Sequence, residues 1–135
     1  MSVQFKDYSK IIIDKINREG VAFLEEATGE LEAQTKRNTK VDTGKTKGSW
    51  EHGVDEKKME GYVGSRYKNA LWEELGTGIY ALNGDGRKDV PWVYRTPDGK
   101  YYRTSGKKPR RALFNAYTSL KNNIIREAQR RFKSI

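Results

Sequence analysis

Residues 61–78 read GYVGSRYKNALWEELGTG, and this stretch predicts a strand, a short helix and a sharp exit. Tyr62 and Val63 favour extended structure at its start. The spacing of apolar residues then becomes that of a helix, because they recur at steps of three and four residues. These residues are Tyr67, Ala70, Leu71 and Leu75. Gly76-Thr77-Gly78 ends the helix, since glycine accepts the left-handed conformation that other residues resist.

The amino-acid composition limits the classes of protein to which the chain can belong. The 135 residues are 35% hydrophobic and 33% charged, which predicts a single domain, 1–135, with a modest core and long polar connections. The chain has no cysteine, which excludes disulfides and thiolate metal sites and favours a reducing compartment. The first residues lack the pattern of a signal peptide, and no apolar run approaches the roughly 18 residues that span a bilayer. We therefore expect a soluble protein without a membrane partner.

The positive charge is concentrated in the last third of the chain. The net charge is +9, and residues 87–135 carry fourteen basic and three acidic side chains, hence +11. Such a field attracts nucleic acid or an acidic partner, although a basic surface can also serve solubility alone.

The first helical region spans residues 5–38. Its apolar residues keep one phase: Ile13, Ile16, Leu24, Ala27 and Leu31. Gly20 falls on the buried side, where it either lets another backbone approach closely or breaks the helix in two. We expect a short first helix and a longer one from about Val21.

A polar connection and a hairpin follow. Asp42-Thr43-Gly44 is a turn sequence, and residues 46–54 and 59–65 are predicted to pair over the charged turn at 55–58. The GKT at 44–46 does not form a phosphate-binding loop, because that motif needs glycine where Thr39 stands. His52, the single histidine, is interpreted as a surface or packing residue.

Residues 79–89 are predicted to form a loop, the segment most prone to disorder, and the spacing of its polar residues does not fit a calcium loop. Residues 91–104 predict a hairpin over the turn Thr96-Pro97-Asp98-Gly99. Its aromatic residues alternate with basic ones, a pattern that suits cross-strand packing or base stacking. These residues are Trp92, Tyr94, Tyr101 and Tyr102, with Arg95, Lys100 and Arg103.

The last helix is predicted over residues 109–133, with Pro109 in its first turn. One apolar stripe runs along it, so it should pack on the sheet or on the long helix, with a basic face left for a partner. The stripe consists of Leu113, Ala116, Tyr117, Leu120, Ile124, Ala128 and Phe132. The expected fold is α+β, in which N-terminal helices and this helix pack on a small antiparallel sheet (within 46–104) with long polar loops.

Taken in order, these motifs resemble a protein family of long-tailed phages and prophages. VDTGKTKGSW follows a long helix, and GYVGSRYKNALWEELGTG, VPWVYR, DGKYYRTSGKKPRRAL and a terminal helix come after it. This pattern, over residues 21–132, is similar to head–tail joining or tail-completion proteins, often labelled minor capsid or "gene product ten-like". Its most specific motifs are V-D-T-G at residues 41–44 and E-x-G-T-G at residues 74–78. The chain departs from the usual family pattern at Lys40, where those proteins commonly have proline before the first motif.

The resemblance implies a non-enzymatic virion protein of the neck or tail end, made in the host cytoplasm. It implies a homo-oligomeric ring around the DNA channel, in contact with other neck or tail proteins. The residues themselves leave two alternatives: a basic nucleic-acid-binding module using the 91–104 hairpin, and a metal-dependent nuclease using Glu73 and Glu74.

Two sets of site residues follow, and neither includes a catalytic, metal or cofactor ligand. The expected interface contains an aromatic anchor and an acidic pair that would meet the basic C-terminal third of the next subunit. It comprises Trp72, Glu73, Glu74, Gly76, Thr77 and Gly78. The residues expected to face DNA or an acidic partner are Arg87, Lys88, Lys107, Lys108, Arg110, Arg111, Arg126, Arg130 and Arg131.

Overall fold

A computed structural model of the chain describes residues 7–41 and 44–133. The fold is α+β, as the sequence predicts, although its strands form two separate antiparallel pairs instead of one sheet. The helices are α1 (Ser9–Asn38), α2 (Lys45–Gly48), α3 (Lys68–Leu75) and α4 (Ala112–Lys133). The strands are β1 (Trp50–Asp55), β2 (Glu60–Ser65), β3 (Trp92–Arg95) and β4 (Tyr101–Thr104).

Helix α1 is continuous over 30 residues, so the predicted break near Gly20 is wrong. Gly20 is buried, and a Cβ on it would lie 2.9 Å from the Sδ atom of Met59. The glycine therefore admits a side chain from the β1–β2 turn. That packing offsets its cost of about 1 kcal/mol relative to alanine in a helix. Residues 5 and 6 of the predicted helical region lie outside the described residues.

The β1–β2 hairpin lies along α1. Its strands pair from Trp50↔Ser65 to Asp55↔Glu60. Trp50 is only 5% exposed, and its Nε1 donates a hydrogen bond of 2.9 Å to Thr39 Oγ1 near the end of α1. The first strand begins later than predicted because residues 45–48 form α2, which starts from Gly44 at φ 79°. Asp42 and Thr43 of the predicted turn lie outside the described residues.

Helix α4 packs on α1 in the antiparallel sense, which is the second of the two packings expected for it. At one end Asn38 Nδ2 donates to the carbonyl of Ala112 at 3.1 Å. At the other end the rings of Phe132 and Phe23 meet edge to face, with centroids 6.3 Å apart. The helix begins at Ala112, so Pro109 precedes its first turn instead of lying within it.

The core is small and the surface is large. The buried hydrophobic residues are Ala27, Trp50, Ala70, Ala112 and Ala116, of which Trp50 is the one large side chain among the described residues. The accessible surface is 10343 Å², whereas a compact monomer of this mass would expose about 7,200 Å².

Candidate subunit interface

The residues around Gly78 form a close crossing of two chain segments, and we call residues 72–78 the corner. Gly76 and Gly78 have φ of 80° and 60°, and a Cβ on Gly78 would lie 2.7 Å from Gly106 Cα. The amide of Thr77 donates to the carbonyl of Lys107, and the amide of Lys107 donates to Thr77 Oγ1, both at 2.9 Å. The Gly-Thr-Gly sequence therefore ends α3 and also lets residues 105–107 lie directly against it.

Glu73 is bound within its own chain. Its side chain is 17% exposed, it accepts a hydrogen bond from Lys107 Nζ, and Arg110 Nε lies 3.6 Å from its other oxygen. The amide of Arg110 also donates to the carbonyl of Glu73 at 2.7 Å. The expected pairing of Glu73 with the basic third of a neighbouring subunit is thus replaced by pairing with the same third of its own chain.

Glu74 caps the N-terminus of α4. Its two carboxylate oxygens accept hydrogen bonds from the amides of Leu113 at 3.2 Å and Phe114 at 2.8 Å. The first amides of a helix have no partner within the helix, and the helix dipole favours an anion there. Glu74 therefore fixes α4 against α3, and the neighbouring carboxylates Glu73 and Glu74 serve separate partners instead of a common site.

Trp72 lies on the outer side of the corner and is 53% exposed. It borders a recess of about 550 Å³ that we call the aromatic groove, whose lining includes Trp72, Trp92 and Tyr94. A second recess of about 290 Å³ also touches Trp72 and Trp92. Since its own chain covers only about half of Trp72, the side chain keeps the partial exposure that the interface prediction requires.

The segment after the corner has a defined path in the structure, which contrasts with the predicted tendency to disorder. Gly78–Tyr80 forms one turn of 3-10 helix. The amide of Leu82 donates to the carbonyl of Leu75 at 2.9 Å. Gly86 packs so closely on the backbone of Gly78 that a Cβ would not fit. The segment is folded back under the corner because two glycines meet there.

The predicted 91–104 hairpin is confirmed as β3 and β4, joined through the turn at 96–99. The rings of Tyr94 and Tyr102 stack across it, with centroids 5.7 Å apart, and Tyr101 on the opposite face is exposed. The guanidinium of Arg87 lies 5.2 Å from the ring of Trp92, and that of Arg95 lies 5.7 Å from Tyr101. Cross-strand stacking and a basic, aromatic surface therefore coexist in this hairpin.

Four of the nine basic residues expected to face a partner bind carboxylates of their own chain. Lys107 and Arg110 hold Glu73, as described above, while Arg130 and Arg131 bind Glu127. Arg131 also contacts Glu19 and Glu26 on α1, so it joins the two long helices. The other five form no ion pair with a carboxylate among residues 7–41 and 44–133. They are Arg87, Lys88, Lys108, Arg111 and Arg126.

Glu127 is the carboxylate with the largest change in pKa. Hydrogen bonds first from Arg130 and then from Arg131 lower the pKa of Glu127 to about 2. Both arginines lie on α4 with Glu127, so this cluster pairs charges along one face of that helix.

One exposed apolar surface lies where the sequence predicts a buried stripe. The apolar spacing predicts that Ile13 and Ile16 lie on the buried side of the first helix, yet both are exposed, as are Ile11 and Ile12. Three consecutive isoleucines cover more than one face of a helix, since each residue advances by about 100°. That feature of the sequence distinguishes this helix end from an ordinary amphipathic turn.

His52 lies between α1 and the hairpin, in the packing position expected for it. Its Nε2 is 3.4 Å from Glu25 and its Nδ1 is 3.4 Å from Glu32, so the two carboxylates face different nitrogens. Among residues 7–41 and 44–133 no group of three or more potential ligands is arranged to hold a metal ion. Within the same part of the chain no helix has the length and apolar character needed to cross a membrane.

Comparisons of the chain with protein families, with curated proteins and with solved structures found no match.

Proposed function

We propose that the chain is a non-enzymatic structural protein of a phage virion that joins head and tail, or completes the tail. It acts as one subunit of a ring around the DNA channel. The motif order of the sequence motivates this role. The observation that carries it is the exposed apolar surface: Ile13 on α1 and Trp72 on α3 are each more than half exposed. Large exposed apolar patches in soluble proteins mark sites of protein association.

The contacts of Glu73 and Glu74 support a structural role for the protein over a nuclease activity. A metal-dependent site needs clustered carboxylates in a pocket. Glu73 holds Lys107 and Arg110, and Glu74 caps α4, so both have structural partners. Divalent-metal-dependent cleavage of DNA that disappears in the Glu73→Gln, Glu74→Gln double variant would overturn the non-enzymatic proposal.

Purified virions test the role directly. We expect mass spectrometry to find the protein in particles of the phage or induced prophage that encodes it, and immunogold labelling to place it at the neck or tail end. Deleting its gene should leave heads and tails unjoined or tails incomplete. Complete, infectious particles without a copy of the protein would overturn the proposal.

A second candidate function is nucleic-acid binding by the β3–β4 hairpin, favoured by the exposed Tyr101 and the arginine next to it. Aromatic stacking with basic side chains binds single strands, and phosphate contacts make such binding strongly salt-dependent. We expect binding that weakens steeply between low and physiological salt, and further weakening in Tyr101→Ala. The matched control is Tyr62→Ala, an exposed tyrosine on the other hairpin. Absence of binding at low salt would exclude this candidate.

A further inference from the structure

Helix α3 and the β3–β4 hairpin face each other across an open gap. Asn69, Trp72 and Glu73 line the gap from the helix, since residues three and four apart lie on one helical face. Trp92 and Tyr94 line it from the hairpin, since alternate residues of a strand point to the same side. The gap therefore has two walls, each formed by the side chains on a single face of its element.

Three recesses follow one another along this gap, and together we call them the trough. The aromatic groove, of about 550 Å³, is the middle one. It shares Asn69, Glu73 and Tyr94 with a first recess of about 480 Å³. It shares Trp72 and Trp92 with the last recess, of about 290 Å³, which has no lining residue in common with the first. Because neighbouring recesses share side chains, the trough is continuous, and its shape suits a linear polymer.

Aromatic rings recur along the trough. Tyr67 and Tyr94 line its first recess, and Trp72 and Trp92 line its last. The middle recess is lined by three of these four rings. Trp72 is 53% exposed and Tyr94 is 45% exposed, so much of each ring is open to a ligand. Flat rings at successive positions suit a ligand that itself carries flat rings at successive positions.

A basic side chain accompanies the rings in each recess. Lys40 lines the first recess, Lys107 the middle one and Arg87 the last, where its guanidinium lies 5.2 Å from the centre of the Trp92 ring. Two acidic residues also line the trough. Glu73 is bound by Lys107 and lies beside Arg110, so its charge is compensated within the chain, and Asp85 shares the last recess with Arg87. The ligand that these charges attract is therefore an anion.

We propose that the trough binds single-stranded nucleic acid, with bases against its aromatic rings and phosphates beside its basic side chains. Proteins that bind single strands combine a positively charged groove with aromatic side chains on which successive bases stack. A duplex offers the rings no free base, because its bases are already stacked and paired. A peptide would use the rings but would not need a cation in each recess. The inference deepens the second candidate function, since it assigns binding to the inner face of the hairpin instead of the outer face with Tyr101.

Fluorescence anisotropy with a labelled oligodeoxythymidylate of about 12 nucleotides tests the proposal, since single-strand sites span about 4–16 nucleotides. We expect the wild type to bind it more tightly than a duplex of the same length, and more tightly at low than at physiological salt. Trp72→Ala should weaken binding about tenfold, whereas Tyr62→Ala, at an exposed tyrosine of the other hairpin, should leave it unchanged. Absence of binding at low salt, or equal binding of the duplex, would overturn the inference.

Arg87→Gln tests the phosphate contacts separately. For single strands, each phosphate contact contributes about 0.7 to the slope of log affinity against log salt concentration. Arg87→Gln should lower that slope by about this amount, while Lys58→Gln, at an exposed lysine of the β1–β2 turn, should leave it unchanged. The same slope in Arg87→Gln as in the wild type would contradict the proposal. Because Arg87 is exposed, this variant keeps the test available even if Trp72→Ala does not fold.

Further comparisons identify the site and the ligand. If Tyr101→Ala abolishes binding while a folded Trp72→Ala binds as the wild type does, the outer face is the site and the trough inference is wrong. Polyglutamate supplies charge without rings, so competition equal to that of the oligonucleotide would also overturn it. Single-strand binding through the trough by a protein absent from virions would refute the virion role alone, whereas a virion protein whose trough binds no single strand would refute this inference alone.

Discussion

Replacing Gly78 with alanine tests whether the corner is a close backbone crossing. Six glycines in the described part of the chain have positive φ, and three of them suit a matched comparison: Gly44 at 79°, Gly78 at 60° and Gly84 at 69°. A Cβ on Gly44 or Gly84 would meet nothing within 4 Å, whereas one on Gly78 would meet the backbone of residues 105 and 106. The comparison therefore separates conformational strain from crowding.

The expected magnitude follows from the contacts at the crossing. A left-handed alanine costs about 1 kcal/mol, which is all that we expect for Gly44→Ala and Gly84→Ala. Gly78→Ala must also displace residues 105–107, which make three hydrogen bonds to residues 77 and 79. Each is worth about 1 kcal/mol net. We therefore expect a loss of about 4 kcal/mol in the free energy of unfolding for Gly78→Ala.

Urea or thermal unfolding of the three variants measures the difference. In a chain of this length 1 kcal/mol shifts the melting temperature by about 4 °C. Gly78→Ala should thus melt about 12 °C below Gly44→Ala. If the two variants lose the same stability within about 1 kcal/mol, the crossing does not constrain Gly78 and the account of the Gly-Thr-Gly sequence is wrong.

Three further predictions concern single contacts. Glu74→Gln removes the anionic cap of α4 and should lower stability by about 1 kcal/mol in a melt, while Glu60→Gln, at an exposed strand end, should change little. Trp50→Ala should lower the free energy of unfolding by about 3–5 kcal/mol, because it empties the core and leaves Thr39 without its donor; a loss below 1 kcal/mol would contradict its place in the core. The lowered pKa of Glu127 means that its arginine contacts stabilise the fold above the unfolded pKa of about 4.3 and are lost as the pH falls through about 2. A carboxyl titration of Glu127 by NMR should show this value, and a titration near 4.3 would refute it.

The local sequence was sufficient to predict those elements whose conformation is determined by residues close together in the chain. The helix at 68–75 and its glycine exit follow from apolar spacing and from Gly76, and the structure has both. The hairpin of β3 and β4 follows from its Thr-Pro-Asp-Gly turn and from alternating aromatics. In each case the residues that decide the conformation are chain neighbours, so no knowledge of distant partners is needed.

Contacts with residues distant in the sequence determine the roles of the acidic residues in the corner. The sequence places Glu73 and Glu74 side by side, and two solvated carboxylates would have been available to a neighbouring subunit. The fold instead brings Lys107 to one and the start of α4 to the other, across more than thirty residues of chain. Periodicity carries no information on such pairings, because they depend on how the chain returns.

The sequence alone determined which faces of the helices are apolar, and the tertiary structure decided which parts of those faces are covered. Gly20 shows the difference. The spacing of apolar residues places it on the buried side of the helix, but only the structure shows that Met59 packs against it and that the helix continues past it. Ile13 and Ile16 show it again, since the same apolar stripe is partly or fully covered beyond Gly20 and exposed before it. The physical reason is that burial requires a second surface: Met59 of the β1–β2 turn packs at Gly20 and Arg131 of α4 contacts Glu19, and the exposed isoleucines precede both contacts along α1.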